Sequence, residues 1–525
     1  MAAGRGDVSR AGADSRTATR APAAGATETG RERTGRLSLR TLGAVPAPLR
    51  PPIDPRQLSV GIVHLGIGAF HRAHQAAFTE DAIVAAGGDW GICGVTERSA
   101  AVVEQLAPQD GLYALAQRGA DGERLRVVGV VRELHFALAD PGGLLRRFAD
   151  PAVHVITLSV SEKGYRYEAT TGRLRLEDPG IAADLSGSGP STVVGQLALG
   201  LDARRRANGA PITVVCCDNL PDNGRVLAGL VCEFAERLPQ GGELLAWIED
   251  SVRFPSTMVD RITPATTAAD RAAIASALGV EDRGAVITES FRQWVIEDDF
   301  AAPRPAWERA GAITTDDVRP YERLKIRLLN GCHSTVAYLG ALADQELVSD
   351  AVGPGMPFVA VLAELMERDV EPTVVVPAGF DLAGYEAEVL ERFANPALRH
   401  RTLQIAMDGS QKLPQRLLDT VRDRRRAGAE PVFAALGVAA WMRFVSARRS
   451  DGGRELTVDD PLADRIAERL GGREDPAAVV DELLSMREIF DQELAGDAGL
   501  RALLVELLGR LARDGARWTA ERLIR

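Results

Sequence analysis

Apolar and polar positions follow two regimes along this chain. Up to about residue 315, short apolar runs rich in β-branched residues alternate with helix-like stretches. Beyond it, apolar residues recur at helical spacing almost to the end. In the first regime SVGIVHLGIGAFHRAHQAAFTEDAI (59–83) reads as strand, glycine turn and helix. Val60, Ile62 and Val63 form the strand, Gly66 and Gly68 break it, and the segment from about Ala69 to Val84 is helical. WGICGVTERS (90–99), LRVVGVVRELHFA (125–137), HVITLSVSEKGY (154–165) and PITVVCCDNLPDNG (211–224) each supply a further strand. AVITESFRQWVIEDDF (285–300) is another buried segment with a polar exit. Such a pattern predicts an α/β domain with a mainly parallel sheet. Polar residues gather at the strands' C-terminal ends, where ligands bind in open sheets of this kind.

The second regime runs through PYERLKIRLLNGCHSTVAYLGALA (320–343), MPFVAVLAELMERDV (356–370), AGYEAEVLERFANPAL (383–398) and PVFAALGVAAWMRFVSA (431–447). It predicts a second, mainly α-helical domain, with a loop at PAGF (377–380). The expected division is a disordered extension over 1–55, a parallel-sheet domain over 56–315 and a helical domain over 316–525. Before Pro51 there are nine Arg against Asp7, Asp14, Glu28 and Glu32, in an Ala/Gly/Thr-rich context without an apolar core for a secretory signal. Removing the first 50 residues should therefore leave the fold unchanged.

A length of 525 residues exceeds one typical hydrophobic core. The net charge of −11 argues against broad nucleic-acid binding, though not against an anionic substrate. No apolar run reaches the twenty or so residues that cross a membrane. Cys93, Cys216, Cys217, Cys232 and Cys332 form no CxxC pair. They read as free thiols of a reducing, cytoplasmic compartment. Cys216 and Cys217 would point to opposite faces of a strand.

Candidate chemistry gathers at a few places. Gly66-Ile67-Gly68-Ala69-Phe70 follows a strand and opens a helix, so a pyrophosphate could approach the backbone and rest on the helix N-terminus. His71 stands where the third glycine of the full fingerprint would be. Glu97 ends the second strand and suits the ribose hydroxyls of NAD, while repelling the extra phosphate of NADP; Arg98 beside it leaves room for dual use. His71 and His74 have metal-pair spacing, but no third ligand is evident, so no metal is expected. Lys325, Asn330 and His333 interrupt an apolar helix and can face one cleft. A desolvated lysine can exchange protons near neutrality, an asparagine can donate to a developing oxyanion, and a histidine can orient a hydroxyl. Asn219, Asp260 and Lys412 lie in polar segments at strand and helix ends.

The segments VHLGIGAFHRAHQ, CDNLPDNG, FPSTMVDRITP, FRQWVIEDDF and KIRLLNGCH together resemble the polyol-specific long-chain dehydrogenases, the family of mannitol 2-dehydrogenase and fructuronate reductase. The resemblance runs from about Leu58 to the C-terminus. It implies a Rossmann-type NAD-binding domain, a helical domain closing over a small hexuronate or polyol, and catalysis without metal. By resemblance, Lys325 is the general acid/base and Asn219 and Asn330 hold the reacting oxygen. His333, Lys412 and Asp260 belong to the substrate site, and Glu162 helps protons leave. LRHRTLQIAMDGSQKLPQRLLD (398–419) is more similar to fructuronate reductase, with Gln404 where the mannitol enzymes commonly carry arginine. His400, Arg401, Lys412 and Arg416 are then candidate partners for a substrate carboxylate. Reduction of D-fructuronate to D-mannonate is the expected reaction, and oxidation of D-mannitol to D-fructose is the alternative. A silent sugar sensor and a helical interaction module are readings of other classes; the intact Lys325, Asn330 and His333 argue against the first, and the shared polar cleft argues against the second. Monomers are common in the family, and neither a nucleic-acid nor a membrane partner is expected.

Overall fold

Strand-forming runs of the first regime assemble into one parallel sheet in the structure, a computed structural model that describes residues 35–525 apart from 120, 121, 169 and 170. In chain order its strands are β1 (Val60–Leu65), β2 (Gly91–Thr96), β3 (Val131–Phe136), β4 (Val155–Leu158), β5 (Ile212–Cys216) and β6 (Val252–Arg253). Their spatial order is β3-β2-β1-β4-β5-β6, and every neighbouring pair is parallel. This is the doubly wound Rossmann order, which reverses direction between β1 and β4 and opens a crevice there. Alternation along β1 sends Val63 and Leu65 into the core on one face and Ile62 into the core on the other. The same alternation separates the adjacent thiols: Cys216 packs on one side and Cys217 on the other, and all five cysteines are free.

Three smaller sheets accompany this one among the described residues, and two of them revise the expected strands. Residues 125–137 do not form one strand. They split at Gly129 into the end of Gly122–Val128, in a second sheet, and β3 in the first. The Gly129 N–H donates to the buried Glu80 carboxylate at 2.7 Å, and a Cβ there would press on Pro55. Residues 285–300 likewise divide into Val286–Glu289 and Gln293–Glu297, which belong to different sheets. The helix expected from Ala69 breaks at His74 into Ala69–Ala73 and Gln75–Ala86. The His74 backbone leaves helical geometry, and its ring Nε2–H donates to the Gln293 carbonyl at 2.8 Å.

The extension expected through residue 55 is corrected over residues 35–55; residues 1–34 lie outside the described residues. Leu37 and Val45 are fully buried against Leu112, Ala114, Ile274 and Ile287, and the Leu37 N–H donates to the Glu281 carbonyl at 2.8 Å. The Arg/Ala/Gly/Thr composition conceals this apolar spacing, and the face it covers is assembled from distant segments. A chain starting at Pro51 is therefore expected to be less stable than one starting at Gly35. Full burial of two such side chains contributes about 3–6 kcal/mol. Chemical unfolding of the two chains checks this, and equal midpoints and slopes would refute it.

The second regime forms a mainly helical domain, as expected. Helices Gly331–Leu342 and Val432–Ala447 are apolar on nearly every side and lie at its centre, with the long helix Ala498–Leu523 packed against the latter. Three stretches widen to π-helix: Lys325–Asn330, Leu365–Val370 and Pro414–Leu418. No helix among the described residues is long and apolar enough to cross a membrane.

Candidate active site

The glycine turn after β1 has the shape its sequence implies. Gly66 adopts φ +94°, and a Cβ on it would collide with the Ser159 carbonyl, so only glycine closes this turn. Gly68 has open space around it, which leaves the backbone approachable where Ala69 and Phe70 begin the next helix. His71, in place of the third glycine, stacks on His64 with ring centroids 3.4 Å apart. Burial holds the His64 imidazole neutral, with its pKa down at about 3. His71 and His74 thus serve packing and a backbone contact. Among the described residues, no group of three or more His, Cys, Asp or Glu is placed to hold a metal ion.

Glu97 stands just beyond β2 with both carboxylate oxygens buried and the Gln196 amide beside them. Burial pushes its pKa up to about 7. A carboxylate in this state gains from a donor pair such as ribose hydroxyls. Arg98 is exposed. The turn and Glu97 together suit the expected dinucleotide.

Between the sheet's C-terminal edge and the helical domain lies a cleft of about 510 Å³. It is lined by Phe70, Asn219, Asp260, Lys325, Asn330, His333, Lys412 and Arg416, among others. Lys325 and Asn330 are the first and last residues of a π-helical segment. On a regular α-helix they would point about 140° apart. The i to i+5 hydrogen bonding of a π-turn draws residues five apart toward one side. That local widening lets Lys325, Asn330 and His333 share the cleft.

The Lys325 ammonium donates to Asn219 Oδ1 and to the Val259 carbonyl, each at 2.6 Å. With its amide oxygen engaged, Asn219 keeps an NH₂ to donate. Burial drives the Lys325 pKa below the ordinary lysine value; the nearby Asp260 charge opposes the shift, and Arg392 and Arg416 add to it. The resulting lysine is poised nearer to neutral pH, as a proton-transfer group requires. His333 is held neutral by burial, its Nε2 has no partner, and its ring stacks on Phe393 at 4.8 Å.

Several expected site residues prove to have other partners. Both Asp260 oxygens are taken by Arg392, at 2.7 and 2.9 Å, so Asp260 is a buried ion-pair partner at the cleft wall. Arg401 is exposed, pairs with Glu346 at 3.0 Å and does not line the cleft. His400 lies behind His333, ring centroids 5.4 Å apart. Gln404 is exposed, away from the cleft. Of the four candidate carboxylate partners, Lys412 and Arg416 face the cleft. Lys412 donates to the Met407 carbonyl at 2.6 Å and Arg416 to the Ser334 hydroxyl at 3.1 Å, bonds that fix both cations in place. Glu162 begins a single 3₁₀ turn, and its side chain lies outside what is described.

Sequence reasoning missed three groups. Arg392, from the helix Leu382–Ala394, also binds Glu289 at 2.9 Å through two of its nitrogens and lies 4.1 Å over the Phe291 ring. Asp260, Glu289 and Arg392 are each less than a tenth exposed. Nothing in the spacing of these residues announces their meeting. Glu322 lines the cleft one turn before Lys325, and burial raises its pKa to about 7. Its i, i+3 relation to Lys325 was a readable signal. Asp218, next to Asn219, is the third.

Two family models match successive parts of the chain. The family model described as the Mannitol dehydrogenase Rossmann domain matches residues 60–309, and that of the Mannitol dehydrogenase C-terminal domain matches residues 317–523. The D-mannonate oxidoreductase of Escherichia coli (strain K12) is 42% identical over 474 residues, covering 89% of this chain and 96% of that protein. The Mannitol 2-dehydrogenase of Pyrenophora tritici-repentis is 35% identical over 463 residues, 87% of this chain and 80% of that protein. The solved mannitol 2-dehydrogenase of Pseudomonas fluorescens, a ternary complex with NAD and D-mannitol, superposes with a TM-score of 0.81 at 34% identity, covering 93% of this chain and 99% of that one.

Proposed function

The chain belongs to the mannitol dehydrogenase family, and from that premise we propose that it is an NAD(H)-dependent oxidoreductase interconverting D-fructuronate and D-mannonate. The observation that carries the reading is the Lys325 amine, desolvated and held by Asn219 and the Val259 carbonyl on a cleft shared with Asn330 and His333. Gly66, Gly68, Ala69, Phe70 and Glu97 would hold NAD. When bound, NAD(H) supplies or accepts the hydride at the sugar carbon. Lys325 gives a proton to the carbonyl oxygen in reduction and takes it from the alcohol in oxidation. The Asn219 and Asn330 amides stabilise charge on that oxygen, and the unpartnered His333 Nε2 orients a neighbouring hydroxyl.

Two cations lining the cleft, Lys412 and Arg416, support a hexuronate. A charge-assisted hydrogen bond to the carboxylate contributes about 1.5–3 kcal/mol, which is roughly a 10- to 150-fold preference in kcat/KM over the uncharged ketose. The similarity to D-mannonate oxidoreductase supports the same choice. The purified enzyme, assayed with NADH against fructuronate, tagaturonate and fructose, and with NAD against mannonate and mannitol, tests it. Strong mannitol–fructose turnover with none on fructuronate would make the enzyme a mannitol 2-dehydrogenase, the reading that the mannitol relatives support. Turnover abolished by a chelator and restored by a metal ion would replace the lysine mechanism.

Cofactor choice follows from Glu97. NAD(H) should exceed NADP(H) in kcat/KM, and the preference should grow as pH rises through about 7, where this carboxylate ionises and repels the extra phosphate. Glu97→Gln should shrink the ratio. An unchanged ratio in that variant would mean that another residue reads the ribose.

A further inference from the structure

Asp218 carries no assigned role, yet three donors converge on its carboxylate. Its oxygens accept from the Val160 N–H at 3.0 Å, the Ser161 N–H at 2.9 Å and the Tyr165 hydroxyl at 2.5 Å. Tyr165 is fully buried, with its hydroxyl 3.0 Å from Cys216 Sγ. The main chain here is tied in as well. The Asn223 amide donates to the carbonyls of Asp218 and Thr257, at 3.0 and 2.8 Å. The Thr257 hydroxyl donates to the Cys216 carbonyl at 2.6 Å. The Asp218 carboxylate thereby joins the exits of β4 and β5, and main-chain carbonyls at the β5 exit tie in the strand Thr257–Asp260. Two of these three segments supply the acceptors of Lys325: Asn219 from the β5 exit and Val259 from the strand.

Ser161 is where the joint is under load. Its backbone sits at φ 73°, ψ 153°, a region open almost solely to glycine. A serine stays there only if its surroundings over-determine the conformation. Two successive N–H groups drawn onto one carboxylate, itself braced by a buried tyrosine, do this. An amide at 218 would keep one acceptor and turn a donor toward an N–H group or a hydroxyl, so at least one of the three contacts would be lost.

We infer that Asp218 is a positioning residue: it clamps the Ser159–Glu162 loop in its strained form and so holds Asn219 in register with Lys325. The inference rests on Lys325 being the proton-transfer group. Its test measures kcat, KM and Tm for Asp218→Asn, Ser161→Gly and the double variant, with NADH and the best substrate. Asp218→Asn should lower kcat about 10- to 100-fold, as expected for a displacement of about 1 Å, while the KM for NADH changes little. The double variant should regain about tenfold, because glycine occupies this conformation without the clamp. If Asp218→Asn does not fold, Tyr165→Phe removes one donor only; it should lower kcat at least about threefold, again with recovery through Ser161→Gly. Unchanged kcat in the folded single variant, or no recovery in the folded double variant, overturns the inference. Lys325→Ala measured alongside separates the premises: retained turnover there defeats the lysine mechanism, whereas rescue by Ser161→Gly is scored on Asp218 alone.

Discussion

Lys325→Ala is expected to reduce kcat by about 10²–10⁴ while cofactor affinity stays close to that of the parent. The loss is large because Lys412, the other lysine lining the cleft, is engaged by the Met407 carbonyl. Cofactor affinity is spared because the glycine turn and Glu97 belong to other strand ends, and among the described residues the Lys325 ammonium bonds to Asn219 and Val259. The pH profile adds a sign. Burial lowers the Lys325 pKa, so the change of state falls below the ordinary lysine range. Reduction needs the protonated amine and slows as pH rises through that pKa; oxidation needs the free amine and quickens. Both limbs should vanish in the alanine variant, leaving any ionisation of Glu322, near 7, behind. Steady-state rates in both directions across pH provide the measurement. Near-parental turnover with the lysine limb intact would end the proposed mechanism.

Arg392→Met should cost the most stability of any single substitution considered, about 3–5 kcal/mol, because it leaves two buried carboxylates unpaired. Asp260 and Glu289 make four hydrogen bonds to this one guanidinium, between 2.7 and 2.9 Å. Burial pulls both carboxyl pKa values upward. Arg392 overcomes this for Asp260, which stays below its ordinary value, whereas Glu289 remains raised. Without Arg392 both should rise above their unfolded values. The folded variant would then bind more protons than the unfolded chain, so its deficit should narrow as pH falls from about 8 to about 5. Lysine at 392 should recover only part of the loss, since a single ammonium cannot span two carboxylates in forked geometry. Denaturant unfolding at several pH values follows the parent and both variants. A deficit independent of pH would point to lost packing in place of unpaired charge.

Much of the architecture was legible because it rests on local periodicity. β-branched runs ending in glycine or in polar residues announced β1, β2, β4 and β5, and the 3.6-residue spacing beyond residue 315 announced the helical domain. These signals reflect which side chains face a core, and they survive in one dimension. Lys325, Asn330 and His333 stood out for the same reason: polar residues on an otherwise apolar helix need a polar environment to face.

Segments whose identity depends on what covers them were not legible. Residues 35–50 look like low-complexity chain until the face formed by Leu112, the strand residues Ala114 and Ile287 and the helix residues Ile274 and Leu278 receives Leu37 and Val45. Residues 125–137 read as one strand because nothing local says that Gly129 passes the chain from one sheet to another. Charge pairing was equally hidden. Asp260 was readable as a polar cleft residue, but its engagement by Arg392 from 132 positions away depends on how the two domains dock. The widened turn at Lys325–Asn330 and the strained Ser161 belong to the same class. Periodicity and turn chemistry act over a few residues and are written in the sequence. Hydrogen-bond partners, desolvation and strain are set by contacts between distant segments, and these exist only once the chain has folded.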